Sequence, residues 1–331
     1  MKLNRYLSLS AAALGLLLCT MAPPALAQSY PTRPIRVIVP FPPGNASDIA
    51  ARVIADKLSQ RIGQPVIIEN RAGAQGAIGV EAVVKAPPDG YTLLLTSLSP
   101  LVITPSVSKN IPYDTQRDLA PVARIGYANM MLVTALTVPA STVAELVAYI
   151  KANPGKLSYG SVGAGTLSML AMEMFKQATG TDVLHVPYKG SAQALTDMIG
   201  GQVTMMIDGM TSSYVQVKAG KVKAIAILSQ QRSRTAPSVP TMAESGLPGL
   251  KDFDITGWVG MLAPAGTPKT VVDRLNTEVN LIMQQSDFQE RAGSAGLELY
   301  APSTPAQFGE FIKTEQAHYR DTAKALHIET P

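Results

Sequence analysis

Apolar and polar positions follow two different periods along this chain, and the two take turns. Short runs rich in branched residues, "IRVIV" (35–39), "PVIIE" (65–69) and "YTLLLTS" (91–97), are separated by stretches with helical spacing. In the segment 48–62, Ala50, Ile54, Leu58 and Ile62 recur every fourth residue with Ile49 and Val53 beside them, while Arg52 and Asp56 fall on the other side. That spacing predicts an amphipathic helix with one face in a core and the other in water. A second helix is expected over 76–85. Strands alternating with helices imply an α/β fold built on a parallel sheet with helices on its faces.

The same grammar restarts near Met130 with "MMLVTAL", followed by a helix from Thr142 whose Glu145 completes a capping box. "KLSYGSV" (156–162), a helix over 166–179 stopped by Gly180, "VLHVPY" (183–188) and "VTMMID" (203–208) complete a second α/β unit. After "FDITGWVGMLAPAGTP" (253–268) the chain is mostly helical. Thr267 with Pro268 and Thr304 with Pro305 and Gln307 mark helix starts. A closing helical block with few strands cannot form its own sandwich, so it is expected to return to the first unit. The chain then crosses between lobes twice, near 124–132 and near 251–262.

The first residues read as an export leader: Lys2 and Arg5, an apolar stretch to Met21, then "ALA" at 25–27. A signal peptide over 1–27, cut after Ala27, puts the mature chain in the periplasm, and no later run has the length of a membrane span. "LLLC" ending at Cys19 faintly resembles a lipoprotein box, but Leu18 stands where a small residue is expected. Cys19 is the single cysteine and leaves with the leader, so a disulfide framework and a thiolate zinc site are both excluded. Of 331 residues 304 remain, enough for two domains. They hold 26 basic and 24 acidic side chains, because Lys2 and Arg5 are lost, and a formal +2 gives no reason to expect a nucleic-acid partner.

No nucleotide-binding, nucleophile-elbow or zinc-protease motif is present; "GSVGAGTLS" lacks the last glycine of a dinucleotide loop. The three histidines, His185, His318 and His327, fall in a strand, a polar helix and the tail. No cofactor or metal is expected. Candidate chemistry lies instead in loops. "PFPPGNASDIAAR" (40–52) joins a strand to a helix, and a helix start leaves N–H groups unpaired and favours anions. Pro42 and Pro43 stiffen the approach, Gly44 allows a positive φ, and Asn45, Ala46 and Ser47 present amides behind small side chains. The same loop is also read as an ordinary turn with Asp48 as N-cap or first-turn residue, and both readings stay open. "NRAGAQGAIG" (70–79), with Gln75, and "YGSVGAGTLS" (159–168), with Ser161, Gly163, Ala164 and Thr166, repeat the device. All three are expected at carboxyl ends of parallel strands, where open α/β sheets bind ligands. The 163–166 stretch is expected to oppose 44–47 across a cleft, with Phe41 either over the ligand or in the core.

The segments "PFPPGNASDIAAR", "IIENRAGAQGAIGVEAVVKAPPDGYTLLL", "HVPYKGSAQALTDMIGGQV" and "LAPAGTPKTVVDRLN" resemble, in order, the solute-binding proteins of the tripartite tricarboxylate transporter family, also called Bug proteins. The resemblance runs through almost the whole mature chain. It implies a two-lobed periplasmic-binding-protein fold, type II-like, with two hinge segments. Domain 1 would comprise 28–126 plus 257–331 and domain 2 would comprise 127–256. It implies a monomeric receptor that is not an enzyme, that captures a small carboxylate and that delivers it to a two-component inner-membrane permease. Carried onto this sequence, the first ligand loop is Phe41 to Ser47, the serine-bearing strand end Ser97 and Ser99, and the second-lobe loop Ser161 to Thr166. Asp208 takes a cleft-edge position where it either meets ligand or caps a helix. Asn45 stands where family members commonly have a second glycine, and 163–168 lacks a histidine that many relatives carry. The competing reading is a periplasmic hydrolase or isomerase acting on a carboxylate with Asp48 or Asp208 as base.

Overall fold

The structure, a computed structural model, describes residues 30–108 and 110–328. The leader, its cleavage after Ala27 and Cys19 lie outside those residues. The fold is mixed α/β.

Strands β1 (Ile35–Val39), β2 (Val66–Asn70) and β3 (Thr92–Ser97) are parallel, with β1 in the middle. Between them run helices α1 (Ala46–Ile62) and α2 (Ala77–Val84). Alternation of apolar residues around α1 buries Ala50, Val53, Ile54 and Leu58, as the spacing predicts. A long strand, β4 (Leu119–Ala135), follows, and α3 (Val143–Ala152) leaves it through the Thr142–Glu145 capping box. Next come β5 (Ser158–Ser161), α4 (Leu167–Thr179), β6 (Leu184–Pro187), α5 (Ser191–Ile199), β7 (Met205–Gly209), α6 (Met210–Lys218) and β8 (Val222–Ile227). Gly180 stops α4 at φ 58°, a left-handed conformation that suits glycine. The chain returns through β9 (Thr256–Pro264) to α7 (Lys269–Met283), α8 (Ser286–Ser294), the short β10 (Glu298–Leu299) and α9 (Pro305–Ala325).

The strand path is β2-β1-β3-β9-β4-β7-β5-β6, with β8 and β10 also on β4. The expectation of a parallel sheet is therefore corrected. The two ends of the path are parallel, but β9 runs antiparallel to both β3 and β4, and β7 and β8 are antiparallel to β4. The reason is the return passage: a chain that comes back through the first set of strands enters it from the opposite end.

β4 changes partners along its length. From Leu119 to Asn129 it pairs with β9, and from Met130 onward with β7 and β8. Its first half was legible only as a connection, since Pro121, Gly126 and Asn129 all disfavour strands. Register shifts between Pro121 and Ala123 and between Arg124 and Gly126 absorb them as bulges. A smaller correction concerns α7, whose N-cap is Pro268; Thr267 Oγ1 donates instead to the Pro264 carbonyl at 2.7 Å. Thr304 and Gln307 form the capping box of α9 as their spacing predicts.

The closing helices pack on the middle of the sheet. Asn276 Nδ2 donates to the Val122 carbonyl at 2.7 Å, and Gln316 Nε2 to that of Leu101 at 2.9 Å. Trp258 on β9 is 1 % exposed, meets Phe308 of α9 edge-on at 5.6 Å and donates its indole N–H to Glu315 at 3.0 Å. Met205, Met206 and Met210 are buried core. Among the described residues no helix is long and apolar enough to cross a membrane, and no group of three His, Cys, Asp or Glu side chains is placed to hold a metal.

Candidate functional site

The loop after β1 is set by a carboxylate that points away from the cavity. Gly44 has φ +96° with open space where a Cβ would stand, so backbone conformation rather than crowding calls for glycine. Asn45 is the N-cap of α1, its Oδ1 accepting from the Asp48 N–H at 2.9 Å. Of the two positions left open for Asp48, the first turn is thus the one it takes. Its buried carboxylate accepts from the Gly44 N–H at 3.0 Å, from Arg52 Nε and Nη2, and from Asn70 Nδ2 at 2.9 Å. Burial opposes its charge, but the bonds from Arg52, Asn70 and Gly44 prevail and hold its pKa below the ordinary value. The Asn70 amide also donates to the Phe41 carbonyl at 3.0 Å, tying both ends of the loop to β2. The Gly44 amide is therefore spent inward. The amides of Asn45, Ala46 and Ser47 have no acceptor within the described chain, and Ser47 Oγ is buried without a partner.

These groups line a cavity of about 760 Å³. Its first wall comprises Phe41 to Ser47, Ser97 to Ser99 and the β9 residues Gly257 to Val259. Its second wall comes from the starts of α5 and α6: Lys189 to Gln193, then Asp208, Gly209, Thr211 and Ser212. Both helices begin at a glycine, Gly190 and Gly209, with no side-chain cap. Three helix starts thus present first-turn amides to one space, each a favourable place for negative charge. Met130, Val162, Leu167, Leu195, Ile199 and Val215 add apolar surface to the remaining wall, which also carries Ser168, Thr196, Gln216 and Lys221. Asp208 ends β7, 3 % exposed, with Ser191 Oγ donating to its Oδ1 at 2.8 Å. Burial drives its pKa up to about 6, against the opposing bonds from Ser191 and the Gly209 N–H.

Of the residues singled out in the sequence, Phe41, Gly44, Asn45, Ala46, Ser47, Ser97 and Asp208 come together on this cavity. Gln75, Ser161, Gly163, Ala164 and Thr166 are not among its lining. Ser161 Oγ lies 2.6 Å from His185 Nε2 and within 3.2 Å of the Gly163 amide and carbonyl, while Thr166 Oγ1 donates to the Gly163 carbonyl at 2.7 Å. Their hydroxyls shape their own loop. That loop docks behind the wall: Thr104 Oγ1 donates to the Gly165 carbonyl at 3.0 Å and the Leu167 N–H to Ser99 Oγ at 3.1 Å. Gln75 sits against it, 3.3 Å from where a Gly163 Cβ would be. The loop expected to face 44–47 is replaced in that place by the start of α5, where a Cβ on Gly190 would touch Pro42 at 3.3 Å. Ser191, Thr211 and Ser212 were missed, although "YKGSAQ" repeats the strand, small-residue turn and helix pattern that marked the other loops.

A family model described as "Tripartite tricarboxylate transporter family receptor" matches residues 50–327. The chain belongs to the tripartite tricarboxylate transporter receptor family. Protein BugT of Bordetella pertussis is 39 % identical over 307 residues, 92 % of this chain and 93 % of its own length. The solved periplasmic binding protein BugD is 35 % identical with TM-score 0.85, covering 91 % of this chain and 100 % of its own. R. palustris Rpa4515, solved with adipate, is 32 % identical with TM-score 0.87, covering 91 % of this chain and 99 % of its own.

As a tripartite tricarboxylate transporter receptor, the chain is a solute-binding protein and not an enzyme. Asp48 is held ionised by Arg52 and Asn70, which makes it a weak base, and it is 3 % exposed. Ser161 and His185 are in hydrogen-bond contact, but Ser161 is fully buried and the half-buried His185 is stacked on Tyr159 at 4.7 Å. Burial lowers the His185 pKa, keeping the ring neutral. Asp208 has a base-like pKa, yet Ser191 and the Gly209 amide are its only partners, and neither is a nucleophile-base constellation.

Proposed function

We propose that this receptor captures a small carboxylate in the periplasm and hands it, as a monomer, to a two-component inner-membrane permease after its leader is removed at Ala27. The observation that carries the reading is the convergence of three helix starts on one cavity, with the amides of Asn45, Ala46 and Ser47 left free. Such amides bind an anion without any guanidinium. The ligand contacts are Phe41, Gly44, Asn45, Ala46, Ser47, Ser97, Ser99 and Asp208, joined by Ser191, Thr211 and Ser212. Gln75, Ser161, Gly163, Ala164 and Thr166 form the support behind them. The adipate in the R. palustris neighbour supports a carboxylate as ligand.

The lobes in this reading are 28–126 with 257–331, and 127–256. They hinge near Gly126 to Met130 and Thr256 to Val259, the stretch where β4 changes partners beside β9. A ligand touching both lobes favours the closed arrangement by its differential affinity. The test is calorimetry of the mature protein against a panel of di-, tri- and aromatic carboxylates. One of them binds stoichiometrically and is recovered unchanged. Gly44→Pro, which forbids the positive φ and removes the N–H that meets Asp48, abolishes that binding. A folded Gly44→Pro protein with unchanged affinity overturns the site.

A further inference from the structure

One group on the cavity wall is left incomplete by the protein itself. The carboxylate of Asp208 accepts from Ser191 Oγ on Oδ1 at 2.8 Å, and its Oδ2 is buried with no donor among the described residues. A buried carboxylate oxygen without a donor is costly, because an ionised carboxylate only accepts and has given up its water. No neighbouring charge contributes to its pKa, although Lys189 and Lys221 line the same cavity. The β4 residues in register with it and its neighbour Gly209 are Met131 and Met130, α5 presents Ser191 and α6 begins with Met210 and Thr211. Burial and two hydrogen bonds account for its pKa of about 6, with no contribution from a neighbouring charge. No group of three His, Cys, Asp or Glu side chains surrounds it among the described residues.

A donor group on a ligand in the cavity would complete it. A second carboxylate beside Asp208 would set two like charges in a poorly solvated space, whereas an ammonium or hydroxyl would bring the missing proton. Rotation about the Asp208 Cβ–Cγ bond exchanges the two oxygens, so either can be offered to the cavity while Ser191 holds the other. Between this pole and the free amides of α1 the wall carries apolar surface, with Met130, Val162, Leu195 and Trp258 in it. We infer that the ligand is a carboxylate whose other polar end is a hydrogen-bond donor, an ammonium or a hydroxyl, received by Asp208 and Ser191. This rests on the reading of the cavity as a carboxylate site and narrows it.

Calorimetry at alkaline pH, with Asp208 ionised, tests it using butanoate and hexanoate alongside their ω-hydroxy, ω-amino and ω-carboxy counterparts. In one chain length the amino- or hydroxy-ended acid binds at least ~tenfold tighter than the methyl-ended one, a difference well within the reach of one charge-assisted hydrogen bond. Asp208→Asn, of equal size and without the charge, reduces an ammonium preference to under about threefold. Ser191→Ala supplies a second variant should Asp208→Asn not fold, and weakens donor-ended acids more than methyl-ended ones. Equal affinities across the four end groups, a preference that survives both variants, or an ω-carboxy acid binding as tightly as its amino counterpart overturns the inference. In those cases the methyl-ended acids still bind and Gly44→Pro still removes them, so the carboxylate reading stands. If no acid in the series binds, the carboxylate reading fails together with the inference.

Discussion

Replacing Asp48 removes the hub that holds the α1 loop in shape. In Asp48→Ala the Gly44 N–H and one N–H of Asn70 lose their acceptor, and both donors are at least partly buried. Hydrogen bonds to a charged acceptor contribute about 1.5–3 kcal/mol each. Arg52 adds little, because its side chain is 53 % exposed and regains water when the pair is broken; an exposed i,i+4 pair contributes only about 0.3–0.5 kcal/mol. Burial of the carboxylate works against these gains. The expected net loss is about 2–4 kcal/mol, measured by urea unfolding at neutral pH. Asp48→Asn keeps one acceptor and falls between. Since the folded pKa is depressed, the stabilisation is present above the unfolded value and is lost as pH falls through the folded one. The gap between wild type and Asp48→Ala is therefore constant from neutral pH down to about pH 4 and closes below it. The loop that bears the free amides relaxes as well, so carboxylate affinity drops with stability. A loss under about 0.5 kcal/mol with unchanged affinity would refute the view that Asp48 organises the cradle.

Two further outcomes follow from the packing around β9. Trp258 is buried, lines the cavity and is fixed by Glu315, so its emission changes as ligand saturates the protein and Trp258→Phe abolishes the signal; constant emission at calorimetric saturation would remove Trp258 from the site. A Cβ on Gly260 would overlap the Phe308 ring, with Cε1 at 2.8 Å, so Gly260→Ala is expected to cost about 1–3 kcal/mol in unfolding by overpacking, and a neutral result would show that α9 can shift freely.

Local signals carried well where the physics was local. The capping boxes at Thr142 and Thr304 and the glycine stop at Gly180 are short-range hydrogen-bond arrangements, and the sequence spells them out. The helix start at 45–48 was legible for the same reason, since it needs only its own residues. What the sequence could not spell was direction and partnership. Whether a strand runs parallel or antiparallel depends on where the chain re-enters the sheet, and β4 hid behind Pro121 and Gly126 because bulges tolerate residues that a regular ladder rejects. Which of several similar loops faces the cavity is also a tertiary matter. Ser161 and Thr166 had the right chemistry, but their hydroxyls are consumed by Gly163 and His185, while the less conspicuous turn at Gly190 reaches Pro42.

The partner change along β4 bears on how the molecule comes apart. A strand laddered to β9 in its first half and to β7 and β8 in its second cannot be withdrawn from one half without disturbing the other. Joining by a loose linker would let each half melt at its own temperature; joining by a shared interior strand makes their melting a common event. Any bending at the junction then strains a hydrogen-bonded ladder instead of a free linker.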